Sequence, residues 1–225
     1  MVQTPIPPQT LYPDSDGKPM ADNTEQFDWI VRIVSNLKHL LKDQDAFVAG
    51  DLLWYPVEVE SNEKPPSQAP DALVALGRPK GRRGSYKQWE EGGIAPQVVF
   101  EILSPSNTRK EMAQKQKFYE DHGVLEAYYY DPKRKDFWGY VRETPDEVCT
   151  LITARYLPWV SPLLHIRFEL PDELEIFYPN GELFKGLDDV TQERDQMQVE
   201  RDQIQAKLDQ AIARMKAAGI DPSDL

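Results

Sequence analysis

The sequence of 225 residues contains a single cysteine, Cys149, and no long apolar run. A lone cysteine cannot form an intramolecular disulfide, and the first ten residues have neither the basic nor the apolar part of a secretory signal peptide. No stretch approaches the roughly 20 apolar residues that a helix needs to cross a bilayer. We therefore expect a protein that works in a reducing, cytoplasmic setting and has no membrane partner.

Positive charge is also scarce. The chain has 26 Lys and Arg residues against 38 Asp and Glu residues, which gives a formal net charge of -12. Proteins that bind nucleic acid nonspecifically are usually basic, because their lysines and arginines neutralise phosphates. The overall charge therefore argues against tight, sequence-independent binding of nucleic acid, whereas 40% hydrophobic residues suffice for a folded core.

Several common catalytic motifs are missing from the sequence. We find no P-loop, no dinucleotide-binding fingerprint and no nucleophile elbow. The three histidines, His39, His122 and His165, show no metal-ligand spacing with Cys149, so a zinc site is not predicted.

The chain divides into four segments by composition and periodicity. Residues 1–21 form a proline-rich N-terminal arm, and residues 22–184 alternate helical and strand patterns, beginning with an amphipathic helix capped by Asn23 or Thr24. We predict that 22–184 form an α/β (α+β) domain with a mixed central sheet flanked by helices. Within it, strands at 98–103 and 125–130 are joined by a right-handed helical crossover.

The C-terminal segment has a different pattern. ERDQMQV at 193–199 is followed directly by ERDQIQA at 200–206, and this seven-residue repeat predicts a coiled-coil helix over 187–218 with a short tail at 219–225. Arg194 and Arg201 fall at core positions and weaken the seam, so we expect a homodimer, with this helix as one candidate interface. The alternative is a single long helix surrounded by solvent.

Three charged residues stand out in apolar surroundings. Glu101 interrupts the apolar strand QVVFEIL, where an unpaired carboxylate is costly, and Asp71 begins the apolar strand DALVAL. At about 100° per residue, the apolar face of the helix after SPSN centres close to Lys115, so its ammonium group points towards the sheet. Asp51 is a further acid nearby, although its position after Gly50 is more typical of a turn.

The quoted segments PDALVAL and VVFEILSPSNTRKEMAQKQKFYEDHGVLEAYYYDP resemble the bacterial Uma-type family of restriction endonucleases, a branch of the PD-(D/E)XK nuclease superfamily. The resemblance spans about residues 22–180 and is most specific over 97–132. It implies a restriction-endonuclease-like core and hydrolysis of DNA phosphodiester bonds that depends on Mg²⁺ or Mn²⁺. On this resemblance Asp71 matches the acid of the PD motif and Glu101 the second acid, both as metal ligands.

The chain departs from the motif at its last letter, where Leu103 stands in place of lysine. The family pairs a lysine with a tyrosine four residues later on the following helix, and here that pair is Lys115 and Tyr119. The expected catalytic set is therefore Asp71, Glu101 and Lys115, with the main-chain carbonyl of Ile102 as a further metal ligand.

Alternatives to a DNA endonuclease remain open at this stage. Glu101 and Lys115 could form a buried ion pair without a catalytic role. The domain could serve as a noncatalytic adaptor that recruits a partner through its coiled coil, or it could cleave RNA or branched DNA.

A basic segment between Arg78 and Lys87 offers a candidate surface for nucleic acid. It contains five Lys or Arg residues and no acid, with Tyr86 and Trp89 beside it, and further bases lie at 109–117. These residues could contact a DNA backbone and stack on bases. An ordinary solvated loop is an equally good interpretation.

Overall fold

The computed structural model describes residues 11–17, 19–60 and 63–217. The first ten residues of the predicted arm, Ala218 of the predicted coiled coil and the predicted tail 219–225 lie outside this range. The described helices are α1 (Thr24–Leu40), α2 (Arg109–Asp121) and α3 (Leu187–Ala217). The described strands are β1 (Ala46–Ala49), β2 (Trp54–Tyr55), β3 (Ala72–Leu76), β4 (Tyr86–Lys87), β5 (Val98–Ile102), β6 (Glu126–Asp131), β7 (Asp136–Val141), β8 (Thr150–Thr153), β9 (Trp159–Val160), β10 (Arg167–Glu169) and β11 (Glu175–Phe177).

A mixed sheet lies at the centre of the first compact unit, which extends to Phe184. Its described strands run in the order β1-β3-β5-β6-β7-β8. Only β5 and β6 are parallel, and α2 connects them, whereas the other neighbours are antiparallel. The predicted mixed sheet flanked by helices is therefore confirmed. Smaller sheets are formed by β11-β10-β9 and by β2-β4.

The two faces of the central sheet bury separate clusters of apolar side chains. On one face α1 packs through Trp29, Ile30 and Ile33 in a cluster that includes side chains of β10 and β11. On the other face Met112 and Tyr119 of α2 share a cluster with β2 and β4. Alternating side chains of β3 and β5 enter one cluster or the other, as the two-residue period of a strand requires.

Helix α2 has well-defined ends. Thr108 is its N-cap and forms a capping box with Glu111, in which each side chain accepts a hydrogen bond from the other residue's main-chain N–H. The helix ends at Asp121, and Gly123 follows in the left-handed conformation at φ +98°, which glycine adopts without a Cβ clash. These ends fix the rotation of the helix and therefore the side chains that face the sheet.

The second compact unit begins at Lys185 and contains α3. The helix is 31 residues long and none of its residues is buried. Apolar side chains along it are exposed, among them Val190, Met197, Ile204 and Leu208. Among the described residues, no helix has the length and apolar character that would let it cross a membrane.

Candidate active site

The pairing of β3 with β5 brings Asp71 to Glu101. Ala72 lies opposite Phe100 in this antiparallel pair, so the next position along the register sets Asp71 opposite Glu101. The Asp71 carboxylate accepts a hydrogen bond of 2.6 Å from the main-chain N–H of Ile102. Both acids are buried, with exposed fractions of 7% for Asp71 and 3% for Glu101.

Lys115 reaches the same point from α2. Its Nζ donates a hydrogen bond of 2.7 Å to Oε2 of Glu101, and its side chain is only 16% exposed. Tyr119, one turn further along the helix and fully buried, donates its hydroxyl proton to Oε1 of Glu101. Each oxygen of the Glu101 carboxylate therefore has a donor from α2, and the structure brings together all three residues of the predicted set.

Gln26 in the first turn of α1 is a site residue that sequence reasoning missed. Its Nε2 donates a hydrogen bond of 2.8 Å to the main-chain carbonyl of Ile102, and its side chain also hydrogen-bonds to Asp71. Its backbone N–H in turn donates to the side chain of Asn23, the N-cap of α1. The Ile102 carbonyl, predicted as a metal ligand, thus already accepts a hydrogen bond. Seventy-six residues separate Gln26 from Ile102, so no local pattern signals this contact.

Asp71 and Lys115 line an acidic cleft of about 420 Å³, whereas Glu101 is buried and is not among the lining residues. Asp16, Asp22, Asp51 and Glu111 also line this cleft, whereas Lys115 is the only Lys or Arg among the described residues that line it. Asp51 adopts a left-handed backbone conformation with φ 46°, so it combines the expected turn geometry with a place at the cleft.

The glycine before Asp51 is required by close packing. A Cβ atom at Gly50 would lie 2.9 Å from Cγ2 of Val34 on α1 and 3.2 Å from the main-chain carbonyl oxygen of Asp71. The N–H of Asp51 also donates to the carbonyl of Pro70 at 3.1 Å. This close approach of two backbone segments positions Asp51 and Asp71 beside one another in the cleft.

The charge balance of the site is negative. Burial, followed by the charge of Glu101, raises the pKa of Asp71 to about 8, although Lys115 and the Ile102 N–H act in the opposite direction. Burial and then Asp16 raise the pKa of Asp51 to about 6. Burial lowers the pKa of Lys115, but Glu101 and Asp71 outweigh it, so the net pKa shift of Lys115 is upward and this residue stays cationic.

These residues fit one hard divalent cation. Mg²⁺ is typically held by one or two carboxylates together with waters, and Asp71 at the cleft, with Glu101 opposite it on the next strand, supplies two carboxylates. Burial and the charge of Glu101 raise the pKa of Asp71, and a divalent cation bound beside this carboxyl group would favour its ionised form. Across the described parts of the chain there is no group of three or more His, Cys, Asp or Glu side chains suited to a metal ion. These residues therefore do not supply a complete set of protein ligands for a metal ion.

Leu103 occupies the position of the missing motif lysine. Its N–H donates to the carbonyl of Tyr130 in β6, and its side chain packs against the cluster beneath α2. A lysine there would lie on the same side of the sheet as Glu101, two residues along. In this chain the ammonium group that meets Glu101 comes from the helix instead.

Three of the five bases in the segment at 78–87 pair with two acids of the domain. Arg78 and Arg83 both pair with Glu91, at 3.0 Å and 2.5 Å, and Lys87 lies 3.3 Å from Glu90. Arg83 also covers the ring of Phe47. These contacts favour the interpretation of this segment as structural.

The aromatic residues of the same segment also have internal partners. Tyr86 is fully buried, and its hydroxyl donates to the carbonyl of Ile94. Trp89 packs against Tyr12 with ring centroids 5.0 Å apart, and Tyr12 in turn contacts Tyr55. Tyr86 is therefore not available for stacking on a base.

Comparison with known proteins gives a family and a structural neighbour. The family model described as "Uma2: Putative restriction endonuclease" matches residues 15–183. A crystal structure from Anabaena variabilis, described as a "putative nuclease belonging to DUF820", is 17% identical, with a TM-score of 0.43. The similarity covers 66% of this chain and 77% of that one. Among curated proteins, none matches this chain.

Proposed function

The chain belongs to the Uma2 family of restriction-endonuclease type, and on that premise we propose that it hydrolyses DNA phosphodiester bonds with a divalent cation at Asp71 and Glu101. The observation that carries this proposal is the contact of 2.7 Å between Lys115 and Glu101 beside the buried carboxylate of Asp71. The three groups of a nuclease site thus lie together, although the lysine is in a different element.

Each side chain has a role that follows from its contacts. Asp71 and Glu101 would hold Mg²⁺ or Mn²⁺, which supplies a Lewis acid for the scissile phosphate and lowers the pKa of a bound water. Lys115 stabilises the negative charge that develops on the phosphate or orients the attacking water. Tyr119 is a positioning residue, because it contacts Glu101 and not the proposed substrate.

Cleavage assays with matched variants test this proposal. Plasmid and labelled oligonucleotides are incubated with Mg²⁺ or Mn²⁺ and with EDTA, and RNA and single strands are included as further substrates. We expect Asp71→Asn, Glu101→Gln and Lys115→Met each to lower the cleavage rate by roughly 100-fold or more. Lys110→Met is the control, because Lys110 lies on the same helix, is exposed and lines neither of the two cavities beside it.

The assignment fails if Asp71→Asn keeps full activity. It also fails for Lys115 alone if Lys115→Met and Lys110→Met cleave at equal rates. Loss of activity in EDTA and its return with added Mg²⁺ are both required for a metal-dependent reaction.

We propose in addition that α3 pairs with a second copy of the chain. The exposed apolar residues Val190, Met197, Ile204 and Leu208 recur at the spacing of a coiled-coil seam. Sedimentation equilibrium of the full chain should report a dimer, and Ile204→Asp with Leu208→Asp should report a monomer. If this double variant is still a dimer, the interface lies in the first unit and not in α3.

The same helix is the feature that favours the adaptor alternative. An adaptor would keep a specific protein partner through 187–218 and would not bind Mg²⁺ at millimolar concentration in a calorimeter. A nuclease would bind the metal through Asp71 and Glu101.

A further inference from the structure

A second groove lies on the other flank of α2, away from the acidic cleft. It has a volume of about 980 Å³, against about 420 Å³ for the cleft. Its walls come from α2 on one side and from β6, β7 and their connecting turn on the other. We call it the aromatic groove, after the rings of Tyr129, Trp138 and Tyr140 that line it.

The three rings pack against one another on the α2 side of the central sheet. Trp138 is stacked on Tyr129, with centroids 5.2 Å apart and planes at 2°, and Tyr140 meets Tyr129 edge-on at 6.0 Å. Tyr129 is buried and its hydroxyl is held by Gln116 at 2.8 Å, whereas Trp138 and Tyr140 are partly exposed. A rigid, partly exposed indole is the kind of surface on which a nucleobase stacks.

Two of the positive side chains that line the groove have no ion-pair partner among the described residues. Arg109 from α2 and Lys133 from the β6–β7 turn line it, are exposed and make no ion pair within the described residues. Arg134 is 72% exposed and lies 3.7 Å from Asp131.

The acids of the groove are partly engaged in local structure. The Asp131 carboxylate accepts the N–H of Arg134 in the turn, and Glu120 accepts a hydrogen bond of 2.7 Å from Gln116. Asp136 is the third acid in the lining. The groove thus offers cations beside aromatic rings, in contrast to the acidic cleft.

The groove and the cleft meet at the loop before α2. Asn107 lines both of them, so this loop is the ridge that separates the proposed reaction site from the aromatic rings. We propose that the aromatic groove binds a single-stranded stretch of the nucleic acid whose scissile phosphate lies in the cleft. Bases stack on Trp138 and Tyr140, and the backbone contacts Arg109, Lys133 and Arg134. This inference rests on the proposed function and adds that the substrate has a single-stranded stretch.

Binding without cleavage tests the inference. The probe is a fluorescein-labelled oligothymidylate of about 12 nucleotides, a length within the range that single-strand-binding grooves cover. Its fluorescence polarisation is titrated with the full chain in EDTA at about 50 mM salt, where phosphate contacts are strong. We expect Trp138→Leu to weaken binding about tenfold and Trp138→Phe to weaken it less, because phenylalanine keeps an aromatic face.

A charge variant gives a second, independent measurement. Lys133→Gln with Arg134→Gln should weaken binding and lower the slope of log affinity against log salt by about 1 to 1.5, since each phosphate contact with a single strand contributes about 0.7. Lys38→Gln with Lys42→Gln is the matched control, because both side chains are exposed at the far end of α1 and the charge change is equal. Thermal unfolding of each variant identifies any loss of binding that comes from misfolding.

Four results would overturn the inference. One is equal weakening by the groove pair and the control pair, and another is unchanged binding in all groove variants. The third is a duplex of the same sequence that binds as tightly and depends on Trp138 to the same degree. A change of oligomeric state in the groove variants without loss of oligothymidylate binding would assign the groove to a protein partner and also overturn it.

The failures of the two proposals can be told apart. Asp71→Asn should bind the probe normally in EDTA while it fails to cleave. Groove-dependent binding in a protein that never cleaves would refute the nuclease and keep the binding site. Metal-dependent cleavage, together with probe binding that does not depend on the groove, would refute the binding site and keep the nuclease.

Discussion

The buried carboxyl group of Asp71 predicts that the metal-free domain loses stability as the pH rises. Its pKa is about 8 in the folded domain, against an ordinary value of 3.8 that the unfolded chain retains. Between these values the folded state holds a proton that the unfolded state has released. Raising the pH therefore favours the unfolded state, and the effect ends above the folded pKa.

The size of this effect follows from the pKa difference. Each pH unit below the folded pKa changes the free energy of unfolding by about 1.4 kcal/mol. From about pH 6 to about pH 9, roughly two units lie below the folded pKa, so we expect a loss of about 2–3 kcal/mol. Asp71 is only 7% exposed, so solvent screening reduces this figure little.

Asp71→Asn isolates the contribution of this carboxyl group. The asparagine carries no charge at any of these pH values and keeps an oxygen that accepts the hydrogen bond of Ile102. The variant should show little of the decline and should be more stable than the native sequence at about pH 9. The free energy of unfolding is measured by urea titration in EDTA, with tryptophan fluorescence as the signal. All five tryptophans precede residue 185, so the signal reports on the first unit.

Asp51→Asn is the control for a neighbouring acid. The pKa of Asp51 is about 6, so most of its effect on the free energy of unfolding is complete where this pH range begins. The loss of stability with rising pH should therefore persist in Asp51→Asn. Equal declines in the native sequence and in Asp71→Asn would refute the reasoning. So would a stability of the native sequence that is constant or rises over the range.

Three further predictions concern the same site. Lys115→Met should lower the free energy of unfolding by about 3–5 kcal/mol because it leaves Glu101 buried without its cation, whereas the exposed Lys117→Met should change it by less than about 1 kcal/mol. Addition of Glu101→Gln to Lys115→Met should restore much of the loss in urea titrations. Gly50→Ala should destabilise the domain by about 1–3 kcal/mol in thermal unfolding, because its Cβ meets α1 and the carbonyl of Asp71. Mg²⁺ binding at about pH 7 should release close to one proton and at about pH 9 far less, measured by calorimetry in buffers of different ionisation enthalpy.

The net charge of -12 limits how the chain can bind the proposed nucleic-acid substrate. The cleft is acidic, and two arginines of the basic segment pair with Glu91. We therefore expect nonspecific duplex DNA affinity to be weak and to fall steeply with salt. Tight binding of random duplex DNA in metal-free buffer at physiological salt would contradict this expectation.

The sequence alone determined the elements whose pattern is local. The apolar period and the cap at Asn23 identify α1, and the apolar run of β5, interrupted only at Glu101, identifies a strand buried on both faces. The helical period of α2 also gave the direction of Lys115, which the contact with Glu101 bears out. Periodicity succeeds here because it records which face of an element is buried.

The tertiary structure alone decided what lies opposite those faces. The order of the strands sets Asp71 against Glu101, Gln26 reaches Ile102 across 76 residues, and Glu91 removes charge from the basic segment. These contacts join residues that are distant in the chain, and their energies depend on partners that no local window contains. The sequence therefore identified the charged groups of the candidate site, but only the fold decided which of those charges are compensated.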